Sequence, residues 1–156
     1  MTQAGNSLID FPAFFTSLSA EETLTLGERL GSMLKKGSIV ALRGPLGSGK
    51  TYFTKGIARK LGINEEINSP SYTIVSEYEA ALTGEIIPFY HIDAYRLRGD
   101  DDFSAIGGEE IVFGNGISVI EWSERIPAFI PTGAFRVDIE IKGDNERFIR
   151  IYRENE

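Results

Sequence analysis

The sequence predicts an α/β fold, a mostly parallel central sheet with some antiparallel strands, flanked by helices. Three observations carry that expectation. Residues 44–51 read Gly44-Pro45-Leu46-Gly47-Ser48-Gly49-Lys50-Thr51, a complete G-x-x-x-x-G-K-[ST] phosphate-binding loop. A short apolar run, Ser38-Ile39-Val40-Ala41-Leu42, precedes it and suits a buried parallel strand. A helical pattern from Tyr52 to Leu61 follows it, and strand-like and helix-like segments alternate along the chain. Strand, loop and helix in that order make the fold P-loop NTPase-like.

The elements are read in order. Residues 1–10 are expected to be flexible, and Phe11 to Ser17 reads as a first strand. Ser19-Ala20-Glu21-Glu22 has capping-box spacing and opens a helix through about Lys36. Leu26, Leu30, Met33 and Leu34 lie along one side of that helix, and Gly37 closes it. In the helix after the loop, Phe53, Ile57, Ala58 and Leu61 share a face and Gly62 is the stop. Tyr72 to Tyr78 alternates like a strand, and Glu85 to His91 is its partner across an Ala80–Gly84 turn. Asp100 to Phe113 reads as one or two short helices broken at Gly107-Gly108. Ile117 to Ile120 is a further buried strand. Phe135 to Ile141 and Arg147 to Tyr152 form a final hairpin across Gly143-Asp144-Asn145.

Composition bounds the function. The chain has 156 residues, 42% hydrophobic and 25% charged, which predicts one globular domain over residues 1–156. It has no cysteine, so disulfides and thiolate metal sites are excluded. No apolar run approaches the ~20 residues of a membrane span. Met1 to Asp10 lacks the basic and apolar regions of a signal peptide, so a cytoplasmic location away from membranes is expected. A net charge of −7 disfavours direct binding of nucleic acid over a broad surface.

Each fixed position of the loop answers a demand of a nucleoside triphosphate. Its glycines, Gly44, Gly47 and Gly49, let backbone N–H groups wrap phosphate oxygens. Lys50 brings a compact positive charge, and the Thr51 hydroxyl can ligate Mg²⁺. The helix beginning near Tyr52 turns its positive end to the same anion. Ile117-Ser118-Val119-Ile120-Glu121 is an apolar strand ending in a carboxylate, which makes Glu121 the Walker B candidate. Asp93, after the Ile86–Tyr90 run, reads as a residue that binds Mg²⁺ through water or accepts a proton from attacking water, the alternative being a loop Asp that caps the next turn. Trp122, the only tryptophan, fits either beside the nucleotide or in the core. His91 is the only histidine and is left outside the candidate set; Arg96 is expected on the surface. Asn68-Ser69-Pro70-Ser71-Tyr72-Thr73 is either a plain turn or a loop that senses the γ-phosphate through its hydroxyls.

Together these residues resemble a family, the bacterial tRNA threonylcarbamoyladenosine biosynthesis ATPases (TsaE, also called YjeE). The resemblance rests on Gly44–Thr51, on Asn68-Ser69-Pro70-Ser71-Tyr72-Thr73-Ile74-Val75 with Glu77-Tyr78, on His91-Ile92-Asp93-Ala94-Tyr95-Arg96-Leu97, and on Ile120-Glu121-Trp122-Ser123-Glu124. It covers roughly residues 20–142. It implies ATP or ADP bound by the loop from Gly44 through Pro45, Leu46, Gly47, Ser48, Gly49, Lys50 and Thr51 to Tyr52. It implies Mg²⁺ at Thr51 and Glu121, and catalytic roles for Lys50, Glu121 and Asp93. It also implies a switch-like loop at Ser71 and Thr73, adenine near Ser17 to Ala20 with Ser19 as a contact, and Arg147 as a further nucleotide contact. The partners implied are the two other proteins of the threonylcarbamoyl-transfer complex, of TsaB and TsaD type, with tRNA reached indirectly. Ser71 departs from the usual Thr, and Pro45 from a frequent Asp. Two other classes share the loop: a small P-loop kinase, and a nucleotide-binding regulator without significant hydrolysis. Kinases usually close an arginine-rich lid over their substrates. Here Arg147, Arg150 and Arg153 fall in a predicted strand and alternate faces.

Overall fold

The computed structural model describes residues 9–67 and 73–154. Its strands are β1 (Ala13–Ser17), β2 (Ile39–Arg43), β3 (Val75–Leu82), β4 (Glu85–Asp93), β5 (Ile117–Glu121), β6 (Phe135–Ile141) and β7 (Arg147–Arg153). Its α-helices are α1 (Ala20–Gly31), α2 (Lys50–Lys60), α3 (Asp100–Ala105) and α4 (Gly108–Val112). Two 3₁₀ turns, Ser123–Arg125 and Pro127–Phe129, follow β5. The strands form one sheet in the order β1-β7-β6-β2-β5-β4-β3. The four central strands β6, β2, β5 and β4 run parallel, and antiparallel pairings flank them on both sides.

The apolar runs become the central strands because both faces of the sheet are covered there. Val40 and Leu42 of β2, with Ile117 and Val119 of β5, pack under α1 and α2 against Leu30, Phe53 and Ile57. Ile39, Ala41 and Ile120 turn to the opposite face and pack with Phe103, Val112, Ile126 and Phe129. A strand with apolar side chains on both faces cannot show alternation, which explains why these segments read as unbroken runs.

Helices α1 and α2 touch backbone to backbone. A Cβ on Gly27 would lie 2.1 Å from the Phe53 carbonyl oxygen, and one on Gly56 would lie 2.0 Å from that of Leu24. Only glycine lets the two axes come so close. Ser19 caps α1, its hydroxyl accepting the Glu22 N–H at 3.1 Å while the Glu22 carboxylate takes the Leu18 N–H at 2.7 Å. The hydroxyl half of the expected capping box forms, but the Glu22 carboxylate reaches one residue further back, to the Leu18 N–H in place of that of Ser19.

The structure corrects several boundaries. Helix α1 ends at Gly31, not near Lys36: the Met33 and Leu34 N–H groups turn back to the Leu30 and Gly31 carbonyls, tightening the chain into turns. Gly31 already lies against α2, within 3.2 Å of the Ile57 carbonyl oxygen for an added Cβ. Helix α2 starts at Lys50, two residues earlier than the apolar pattern shows, because its first turn is the phosphate loop itself. Strand β3 runs on to Leu82, and the turn expected over Ala80–Gly84 shrinks to Thr83 and Gly84. Tyr72, the expected start of that strand, lies outside the described residues, as do Ser71 and residues 1–8 of the segment expected to be flexible.

Parallel β2, β5 and β4 bring their carboxyl ends together. Leu42 is in register with Glu121, and Glu121 with Asp93. The crevice at the carboxyl ends of such strands is where α/β sheets bind ligands.

Candidate functional site

The loop leaves β2 at Gly44 and enters α2 at Lys50. Gly47 and Gly49 hold φ of +78° and +107°, and the Gly49 value caps α2 in a conformation that side chains resist. An added Cβ on Gly44 would sit 2.8 Å from the Ile139 carbonyl oxygen, so β6 presses the loop from behind. The Ser48 hydroxyl is buried without a hydrogen-bond partner among the described residues.

Lys50 is nearly buried, at 5% exposure. Its ammonium donates to the Gly44 carbonyl at 2.5 Å and to the Pro45 carbonyl at 3.0 Å, and lies 4.3 Å from the centre of the Trp122 ring. Burial pushes its pKa below the ordinary lysine value, and the nearby carboxylates of Glu121, Glu124 and Asp93 oppose that shift.

Opposite the loop, Glu121 ends β5 with its side chain buried. One carboxylate oxygen meets the Thr51 hydroxyl at 3.3 Å and the His91 Nε2 at 2.6 Å. His91 is fully buried, and its Nδ1 has no hydrogen-bond partner among the described residues. Residues 89, 91 and 93 share one face of β4, the face covered by α2, which aims His91 and Asp93 at the loop. The Asp93 carboxylate accepts the Tyr95 N–H at 3.0 Å, an Asx turn that stops the strand. Trp122 follows Glu121 with φ of +58°, the one positive φ among the described non-glycine residues. Its ring packs between the Lys50 ammonium and Tyr95, 4.8 Å from the Tyr95 ring centre.

A cleft of about 450 Å³ opens between these groups. The loop from Leu46 to Thr51 with Tyr52 forms its floor, and Asp93, Glu121 and Trp122 form one wall. Ser19, Ala20 and Thr23 of α1 meet Asp144, Asn145 and Arg147 of the β6–β7 hairpin at the other end. Thus Lys50, Thr51, Tyr52, Asp93, Glu121, Ser19 and Arg147 all converge on one cleft. Gly44 and Pro45 do not line it; they carry the carbonyls that hold Lys50. Thr73 is exposed and outside the cleft lining, and Ser71 lies outside the described residues. Arg96 is exposed, as expected.

His91 is the site residue the sequence reading set aside. The signal was available: two residues before Asp93 in a strand, it had to share that residue's face. The tip of the hairpin, Asp144 and Asn145, carried no such signal, since turns of that composition are common.

The donors present suit a magnesium nucleotide. Thr51 and Glu121 converge beside the buried lysine, one hydroxyl and one carboxylate. Among the described residues no cluster of three or more His, Cys, Asp or Glu stands at metal-binding spacing. Mg²⁺ typically takes one or two protein oxygens and completes its shell with phosphates and water.

Comparison with known proteins decides the relationship. The family model described as "Threonylcarbamoyl adenosine biosynthesis protein TsaE" matches residues 17–150. The chain belongs to the TsaE family. It is 42% identical over 135 residues to the tRNA threonylcarbamoyladenosine biosynthesis protein TsaE of Treponema pallidum (strain Nichols), covering 86% of this chain and 96% of that one. It is 36% identical over 133 residues to the Bacillus subtilis (strain 168) TsaE, covering 85% of this chain and 80% of the relative. The crystal structure of Bacillus subtilis YdiB superposes with a TM-score of 0.72 at 31% identity, over 93% of this chain and 87% of that one. The P-loop-like α/β fold expected from the sequence is therefore shared with a solved structure. No helix among the described residues is long and apolar enough to cross a membrane.

Proposed function

We propose that this TsaE-family chain is a magnesium-dependent ATPase of the cytoplasmic machinery that installs threonylcarbamoyl on adenosine 37 of tRNAs reading ANN codons. It binds ATP or ADP in the cleft and works with two partner proteins of TsaB and TsaD type, which carry the contact with tRNA. The observation that carries this reading is the convergence of Lys50, Thr51 and Glu121 at the mouth of one phosphate loop, with Thr51 and Glu121 3.3 Å apart. Lys50 exchanges the Gly44 and Pro45 carbonyls for phosphate oxygens. Thr51 and Glu121 would hold Mg²⁺, which when bound neutralises phosphate charge. Asp93, one strand over from Glu121, orients the attacking water or takes its proton. Water adds to the γ-phosphorus, the bridging oxygen leaves with ADP, and inorganic phosphate departs. Ser19 and Tyr52 border the nucleoside end, Arg147 backs the loop, and Ser71 with Thr73 form a loop responsive to the γ-phosphate.

In support of dependence on partners, Arg147 is the one arginine lining the cleft among the described residues, and its guanidinium is held by the Ser48 and Gly47 carbonyls. Completion of a P-loop site in trans raises rates by ~10³–10⁵ in GTPases. The test is reconstitution with each component omitted in turn, following ADP release and threonylcarbamoyl transfer to tRNA. Lys50→Ala is expected to weaken ATP binding and abolish turnover, while Glu121→Gln and Asp93→Asn bind ATP but turn over slowly. Repeated modification cycles that proceed equally well without this protein would refute the proposal. ADP release at the wild-type rate from either carboxylate variant in the full assembly would remove that residue from the mechanism.

A further inference from the structure

Arg147 begins β7, in register with Ser17 of β1 and Ile141 of β6. It shares a strand face with Ile149 and Ile151, the face covered by α1 and α2, so its side chain runs toward the phosphate loop. The guanidinium ends among backbone carbonyls. Nε donates to the Ser48 carbonyl at 3.1 Å and Nη2 to the Gly47 carbonyl at 3.0 Å. Nη1 donates to the Gly143 carbonyl at 2.9 Å and the Glu146 carbonyl at 3.1 Å, with Asp144 at 3.4 Å. Two consecutive peptides of the phosphate loop and the turn of the last hairpin are thus tied to one planar cation.

We infer that Arg147 is a positioning residue that sets the phosphate loop from behind through its carbonyls, rather than a direct ligand of the nucleotide. In a trans peptide the C=O and N–H point in opposite directions. Holding the Ser48 carbonyl therefore turns the Gly49 N–H away from the guanidinium. Holding the Gly47 carbonyl fixes the Ser48 N–H, which donates to the Pro45 carbonyl at 3.1 Å. Loop glycines at positive φ have little steric preference to hold them, so the order must come from such outside ties. Arginine suits the task because its donors form a rigid fork and its charge is permanent. Four of its five N–H groups are engaged by the four shorter contacts, so little of the fork is free for phosphate. The same bonds couple the hairpin tip, where Asp144 and Asn145 line the cleft, to the loop that receives the phosphates.

This inference rests on the nucleotide-binding reading for its functional consequence but not for its structural core. The test compares wild type, Arg147→Met and Arg147→Lys by hydrogen exchange without nucleotide and by calorimetric titration with ATP, ADP and adenosine. Arg147→Met is expected to speed exchange in residues 44–49 and 143–146 of the nucleotide-free protein. It should weaken ATP and ADP alike by about tenfold or more, the size expected for losing hydrogen bonds from a charged donor, with adenosine binding unmoved. Arg147→Lys keeps charge but not the fork, and should recover only part of both effects. If exchange is unchanged while affinity falls, Arg147 is a ligand contact and the positioning role is overturned. Unchanged exchange with unchanged affinity overturns it as well. Wild-type protein that binds neither nucleotide would defeat the nucleotide reading, while the exchange comparison would still decide the brace.

Discussion

At the residue scale, the buried pair of His91 and Glu121 organises the carboxylate side of the cleft. With Nε2 2.6 Å from the carboxylate oxygen that the Thr51 hydroxyl meets at the longer 3.3 Å, His91 makes the shorter contact and sets which way Glu121 faces. Replacing it with alanine strips a buried carboxylate of a hydrogen bond worth about 1.5–3 kcal/mol when one partner is charged. For a chain of this size that lowers the melting temperature by roughly 3–12 °C. Turnover should fall by about tenfold if the misplaced carboxylate costs about 1.4 kcal/mol of transition-state stabilisation, with metal-free nucleotide binding retained. A scanning melt and a steady-state ADP-release assay read the two effects; turnover at the wild-type rate would leave the histidine a packing residue. The loop, Glu121 and Asp93 were legible in the sequence because the motif and the strand-end carboxylates name themselves by spacing. His91 and the carbonyl-holding role of Arg147 were not, since each depends on which strands become neighbours.

At the scale of elements, α1 and α2 cross at the closest approach found at any glycine among the described residues. A methyl group on Gly56 would occupy the space of the Leu24 carbonyl oxygen, 2.0 Å away. Gly56→Ala should therefore destabilise by about 1–3 kcal/mol or more through overpacking, a fall of roughly 2–12 °C in melting temperature. Gly99→Ala is the control: its site is open, its φ of 168° is extended backbone, and it should melt within about 2 °C of wild type. Equal melting of the two variants would mean that the helices separate at little cost. The element order was largely legible, because apolar runs, caps and glycine stops are local signals. The end of α1 at Gly31 was not, because the apolar spacing continues through Met33 and Leu34 while contact with α2 decides where the helix stops. Sheet order was equally hidden: nothing in β6 states that it lies beside β2.

At the scale of the whole molecule, one sheet carries the cleft at the carboxyl ends of its parallel strands, and ligand binding there should be felt throughout. Nucleotide at a hundredfold excess over its dissociation constant stabilises the folded state by about 2.7 kcal/mol, a rise of roughly 5–11 °C in melting temperature. Lys50→Ala should erase that rise while melting normally without ligand; a full shift in the variant would show that the lysine does not hold phosphate. The arrangement of Lys50 beneath the only tryptophan has an optical consequence as well. An ammonium 4.3 Å from an indole centre is attracted by the negative face of the ring, and the emission is expected to depend on whether it stays there. Phosphate oxygens that draw the ammonium away should change that emission. The protein would thereby report occupancy of its cleft by its own light, with no label attached, and Lys50→Met should glow steadily and stay silent to ATP.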